Sequence, residues 1–308
     1  MNTHRDAGWQ VYESVRLSPS VLAARGRQIL DKLADRRIRI PAGNRIEQAI
    51  RLTDEANASS DALREQPEAE LYRFREAFRT LLESFIIVHT IYDRPRQTAW
   101  YNDEMLSRLL RGASTEKDDK NPHARNTQFE LLVAASLILG GADIRHEEPD
   151  FSMLFHGKRV GIAVKRVRSL KTETLRRELV DAARQIRDST RTGFVAANLD
   201  SRINELDTSS DLDRLGKSFH EQVSVAHDTM HEISEREAVI GYMFYGSWFG
   251  WALDGEMPRL EFHVPAQIRC FTTNAAQTAR CFEFFGPLHQ RHSRGLATIM
   301  QLISRPAA

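Results

Sequence analysis

The chain has 308 residues, 41% of them apolar, enough for one large domain or two smaller ones. It carries 43 Lys and Arg against 42 Asp and Glu, so net charge alone names no partner. There are two cysteines, the longest uncharged apolar run is Leu131 to Ala142, and Arg5, Asp6, Glu13 and Arg16 interrupt the first twenty residues. These features exclude a disulfide scaffold, a bilayer-spanning helix, a secretory leader, and collagenous or disordered chains, and the expectation is a soluble protein of a reducing cytoplasm with no membrane contact.

Residues 1 to about 115 read as helix throughout, with no strand pattern, and form a helical domain in this reading. Asn44 is placed to cap a helix holding Ile46, Ala49, Ile50 and Leu52. After Pro67, Leu71, Phe74, Phe78, Leu81, Leu82 and Phe85 recur at helical steps, and Pro95 ends that stripe soon after Asp93. A short helix is expected to carry Trp100, Met105, Leu106, Leu109 and Leu110. The polar run Ser114 to Asn121 is the linker candidate.

Residues 122–308 form the second domain. Thr127 to Leu139 is an apolar helix stopped by Gly140-Gly141. A strand over Ala142–Glu147, two strands joined at His156-Gly157, a helix from about Thr172 to Thr190 and a strand from Gly193 to Leu199 follow. Residues 200–236 form a polar insertion with one helix. Val239–Leu253 and Leu260–Phe271 read as strands, and the C-terminus as helix from about Gly295. The fold class is mixed α/β.

The most informative element is the hairpin. With His156 and Gly157 as the two loop residues, Phe151 faces Ile162 and Met153 faces Val160, with Phe155 and Val164 on the same side. That side is the core face. The other carries Asp150 opposite Ala163, Ser152 opposite Gly161 and Glu148 opposite Lys165, with opposed Cβ atoms roughly 5 Å apart. Glu130 lies in the apolar helix just before, where a lone carboxylate is costly. If that helix packs near the hairpin, Glu130 and Asp150 converge on one hard cation.

Pro149-Asp150, a hairpin, then Gly161-Ile162-Ala163-Val164-Lys165 resembles the PD-(D/E)xK nuclease superfamily, the restriction-endonuclease-like fold. The resemblance covers residues 124–200, about a quarter of the chain, and implies an αβββαβ core with C-terminal strand and helix additions. It implies an Mg²⁺- or Mn²⁺-dependent endonuclease hydrolysing DNA, with RNA a second substrate and foreign-DNA defence by analogy alone. It assigns Asp150, Glu130 and the Val164 carbonyl to the metal, Lys165 to the attacking water, and Gln185 to a position near the site. The middle acid of the motif falls on Ala163, so the chain is expected to cut poorly or not at all. It is either a natural non-catalytic binding or assembly module, or it carries an engineered replacement. The intact Asp150, Lys165 and Glu130 favour the replacement.

From Asn121 to Arg191 there are 13 basic and nine acidic residues, a local excess in a nearly neutral chain. Arg166, Arg168, Lys171, Arg177 and Arg184 are the candidate phosphate contacts, whereas Arg191 fits a solvated face. His227 and His231 are four apart, which supplies half a zinc site at most; a surface pair is the simpler reading. Cys270 and Cys281 lack metal spacing and read as buried apolar residues. The aromatic segment Gly241–Gly255 reads as a central strand or subunit interface rather than a base-stacking platform. A homo-oligomer is compatible with all of this.

Overall fold

The structure is a computed structural model. It describes residues 7–58, 68–93, 103–113, 115, 119, 123–169, 171–189, 192–206, 212–234, 238–254, 257–271 and 275–304. Pro95, Trp100, Arg191 and all of the linker candidate except Thr115 and Asp119 lie outside the described residues. The described elements run β1 (Ala7–Leu17), α1 (Pro19–Asp35), α2 (Arg45–Ala58), α3 (Glu68–Asp93), α4 (Asp103–Arg108) and α5 (His123–Leu139). They continue β2 (Ile144–Arg145), β3 (Phe151–Phe155), β4 (Lys158–Arg166), α6 (Thr172–Asp188), β5 (Gly193–Asn198), α7 (Asp200–Leu206) and α8 (Leu212–Ser234). The chain closes with β6 (Val239–Tyr245), β7 (Trp248–Asp254), β8 (Met257–Cys270) and α9 (Ala275–Ser304). No described helix is long and apolar enough to cross a membrane.

The eight strands form one mixed sheet in the order β1-β8-β6-β5-β4-β3-β2, with β7 pairing β8. Pairing is parallel across β4, β5 and β6 and antiparallel elsewhere. Helices cover both faces. One core joins residues of α1 to α5 and α9 to Phe151, Met153, Val160, Ile162 and Val164. The other joins α6 and α8 to Ala163, Val195, Ala197, Tyr242 and Phe244 on the opposite face. The first core includes Leu17, Phe78, Phe129 and Ile303, so residues on both sides of 114–121 share it.

Four expectations are corrected. The N-terminal region is not helical throughout, because Ala7–Leu17 is a strand paired along its length with β8. Trp9, Val11, Val15 and Leu17 do alternate, but Glu13 breaks the pattern and the partner strand lies some 250 residues away, so no turn marks the pairing. The C-terminal helix begins at Ala275 rather than near Gly295, and it continues through Gly286 and Pro287, two residues of low helix propensity that conceal its first half in the sequence. Residues 200–236 hold two helices, and Val239–Leu253 holds two strands, divided at Gly246-Ser247.

Asn44 does cap α2, its side-chain oxygen accepting from the N–H groups of Ile46 and Glu47 at 3.0 and 3.1 Å. Tyr242 and Phe244 are buried on β6, inside the sheet, whereas Trp248 and Phe249 are buried on β7, which pairs with β8 alone. His227 hydrogen-bonds the Tyr242 hydroxyl at 2.7 Å.

The hairpin forms in the register read from the sequence: Phe151 opposite Ile162, Ser152 opposite Gly161, Met153 opposite Val160. Its turn needs left-handed backbone at both loop residues, with φ 47° at His156 and 76° at Gly157. Gly157 adopts this without strain, whereas a side chain there meets the backbone penalty. Gly157→Ala is therefore expected to destabilise the protein by about 1 kcal/mol. His156→Asn, which tolerates the same region, is expected to be neutral. Denaturant midpoints of the two variants check this; equal midpoints contradict it.

Candidate functional site

Strand β3 begins at Phe151, so Asp150 stands where the ladder with β4 would otherwise continue. Its carboxylate takes over the missing ladder contact, and the Val164 N–H donates to Asp150 Oδ2 at 2.7 Å. Strand alternation then orients Val164 as a whole. Gly161 N–H donates to Thr192 on the β5 side, so residues 162 and 164 direct both backbone groups toward β3. The Val164 carbonyl consequently faces the same edge as the Asp150 carboxylate.

Helix α5 brings Glu130 to this edge. Its neighbours on the helix, Phe129, Leu131 and Val133, are buried in the first core, which fixes the helix against the sheet. Burial, and then the Asp150 carboxylate, push Glu130 up to about 7, while Arg108 and Lys165 pull the other way. Burial likewise pushes Asp150 up to about 6, opposed by the Val164 N–H and Lys165 and reinforced by Glu148. Two carboxylates and one ammonium thus share one electrostatic neighbourhood at the sheet edge.

A cavity of about 380 Å³ opens beside Glu130, lined also by Arg108, Arg111, His123, Asn126 and Thr127. Arg108 already pairs with Glu104 at 2.8 Å on the exposed face of α4. The cavity is polar and carries two guanidinium groups, a lining suited to an anionic ligand.

The remaining sequence candidates fall in different places. Ala163 lies on the face away from α5, 0% exposed, in the second core with Leu175, Leu179 and Val195. Gln185 is exposed near the C-terminal end of α6. Because α6 connects parallel strands, that end lies by the start of β5, opposite the end that holds Lys165. Gln185 is therefore not brought to the site. Arg166 alternates away from Lys165 and acts electrostatically on buried Glu76 and Glu83. Arg168 is partly buried, and Lys171 is exposed at the start of α6. Arg177 and Arg184 are exposed and pair with Glu178 at 3.7 Å and Asp181 at 3.4 Å. Among the described residues, no group of three or more His, Cys, Asp or Glu is arranged to hold a metal.

Sequence reasoning missed a buried charge network beside this site. Arg125 pairs with Glu76 at 2.9 Å and with Asp119 at 3.2 Å. Arg79 pairs with Glu76 and, at 3.0 Å, with Asp200, whose carboxylate also accepts from Asn198 Nδ2 at 2.7 Å. Gln128 donates to Glu83. Burial pushes Glu76 up, but Arg79 and Arg125 outweigh it and hold the carboxyl down at about 2. Glu83 is pushed by burial up to about 7. The signal was available: Glu76, Arg79 and Glu83 sit at helical steps among Phe74, Phe78 and Phe85, on a face the packing closes. The network links α3 and α5 to the β5–α7 junction, and so braces the end of the sheet where Lys165 emerges.

No family model, curated protein or solved structure matches the chain.

The raised carboxyls make stability depend on pH. Between their ordinary values near pH 4 and their folded values at about 6 and 7, the folded chain holds protons that the unfolded chain has released. Stability from these groups is therefore highest below pH 4 and is lost as pH rises through 7. Glu130→Gln removes one of the charges. In metal-free buffer at pH 8 it is expected to raise Tm by about 2 °C, on the order of 1 kcal/mol after allowance for partial exposure, with no gain at pH 4. A thermal-melt series from pH 4 to 8 checks this, and a difference that does not vary with pH contradicts it.

Proposed function

We propose that the chain is a nucleic-acid-directed protein of the PD-(D/E)xK type, binding DNA and hydrolysing its phosphodiester bonds slowly with a divalent cation. The observation that carries this reading is the meeting of Glu130, Asp150 and Lys165 at the edge of β4, in the register the motif requires. The order α5, β2, β3, β4, α6, β5 supports it as well, because it is the αβββαβ order of that fold.

The residues fit a hard cation. Mg²⁺ is commonly held by one or two carboxylates plus substrate phosphate and water, and two partly buried carboxyls, one of which pushes up the pKa of the other, are relieved by a positive ion. Glu130, the free oxygen of Asp150 and the Val164 carbonyl would hold it. When bound it would lower the pKa of water and offset charge on the phosphorane-like state.

The chain's own groups do the rest. Lys165 neutralises the scissile phosphate and orients a water beside it. Arg108 and Arg111, in the cavity next to Glu130, engage a neighbouring phosphate of the substrate strand. Ala163 keeps the rate low, because the position that would supply another carboxylate is occupied by a methyl group closed into the second core. A glutamate there would be buried among apolar side chains at considerable cost. This burial also favours a natural alanine over an engineered replacement, and it supports the second reading, a module that binds nucleic acid without cutting it.

Incubation with DNA and Mg²⁺ tests both readings. Slow cleavage is expected, lost in Asp150→Asn and reduced at least tenfold in Lys165→Ala, while DNA binding survives both. Arg108→Gln with Arg111→Gln is expected to weaken DNA binding about tenfold or more and to reduce its salt dependence. Binding with no cleavage selects the second reading. Absence of DNA and RNA binding, or cleavage indifferent to Asp150, contradicts the proposal.

A further inference from the structure

The chain's two cysteines are eleven positions apart in sequence and end up in one place. Cys270 is the last residue of β8, held in register between Ala7 of β1 and Gly241 of β6. The chain then reverses into α9, whose second turn carries Cys281 back against the same core. Neither is in a disulfide, both are buried, 1% and 7% exposed, and a side-chain hydrogen bond joins Cys270 to Cys281. Both line a cavity of about 280 Å³, together with the side chains of His156, Lys158, Gln277 and Arg280.

Both residues belong to the first core, and packing accounts for their burial. Buried free cysteines usually behave as small apolar residues, with apolar neighbours on every side. Here the two side chains are hydrogen-bonded to each other, and the pair borders a cavity whose lining mixes Phe155, Phe194 and Phe271 with the basic Lys158 and Arg280. A small neutral oxidant entering it reaches the pair at Cys281, the more exposed of the two.

We propose that Cys270 and Cys281 form a modification site, a dithiol that hydrogen peroxide converts to an intramolecular disulfide. The Cys281 thiolate attacks one peroxide oxygen, the O–O bond breaks, and the departing hydroxide takes a proton to leave as water. Cys281 becomes a sulfenic acid. The Cys270 sulfur then attacks the Cys281 sulfur, its proton is released, and the second oxygen departs as water. Two thiols and one peroxide give one disulfide and two waters, so the sulfurs are oxidised and the peroxide reduced. Cys281 is the attacking sulfur, since it is the more exposed of the two and the hydrogen bond from Cys270 favours its thiolate. The bridge would tie the end of β8 to the first part of α9, at the opposite end of β4 from Lys165. It is independent of the nuclease reading.

The test uses the full chain, reduced, desalted and treated with a small excess of hydrogen peroxide. Thiols counted after denaturation are expected to fall from two to none while the chain stays uncrosslinked to other copies. Intact mass is expected to drop by two hydrogens, peptide mapping to place the link between 270 and 281, and Tm to rise and return on adding dithiothreitol. Cys270→Ser and Cys281→Ala each remove the link, and their melting curves show whether the fold survives. Two persistent thiols, sulfinic acid without a link, or a link only between separate chains overturns the proposal.

Discussion

The hydrogen bond from the Val164 N–H to the Asp150 carboxylate is the constraint on which the site depends. Strand β3 stops one residue too early to satisfy β4 with backbone, so a side chain finishes the ladder. That contact fixes Asp150 beside β4 and leaves its other oxygen and the Val164 carbonyl at one edge. Hairpin register decides whether it forms at all. A one-residue slip would turn Phe151 and Met153 out of the first core and carry Asp150 into it. The hydrophobic residues of the hairpin therefore position its charged ones.

The second requirement is that α5 deliver Glu130 to the same edge, and this comes from the layer above the sheet. Helices α1 to α3 and α9 pack with α5 over one continuous core. Within that layer, Arg125, Glu76, Arg79 and Asp200 bind α5 and α3 to the β5–α7 junction through charges almost closed to water. Removing a single partner from such a group leaves an uncompensated buried charge, so the helices are held in register as well as held together. The N-terminal helices thus act as the support that keeps Glu130 against the sheet.

The hairpin, its register and the order of elements from α5 to β5 were legible because each rests on local periodicity. Phe151, Met153, Val160 and Ile162 alternate, and Glu130 interrupts an apolar helix. What was not legible depends on distant partners. Nothing near Ala7–Leu17 announces a partner strand at the far end of the chain. The spacing of Cys270 and Cys281 gives no hint that a strand end and a helix turn bring them into contact. Gln185 looked well placed by analogy, but the direction of a crossover helix puts it at the wrong end of the sheet. Ala163 read as an open vacancy in a catalytic set, whereas it is closed under α6 and α8. Strand alternation gives the face of a residue but not what covers that face.

The most direct measurement is a carboxyl NMR titration of the metal-free chain with labelled Asp and Glu, repeated in Asp150→Asn. The account predicts that Glu130 titrates at about 7 and Asp150 at about 6, and that neutralising Asp150 lowers the Glu130 midpoint. If Glu130 titrates at its ordinary value, or keeps its midpoint when Asp150 is neutral, the two carboxyls do not share a site and the central claim is contradicted.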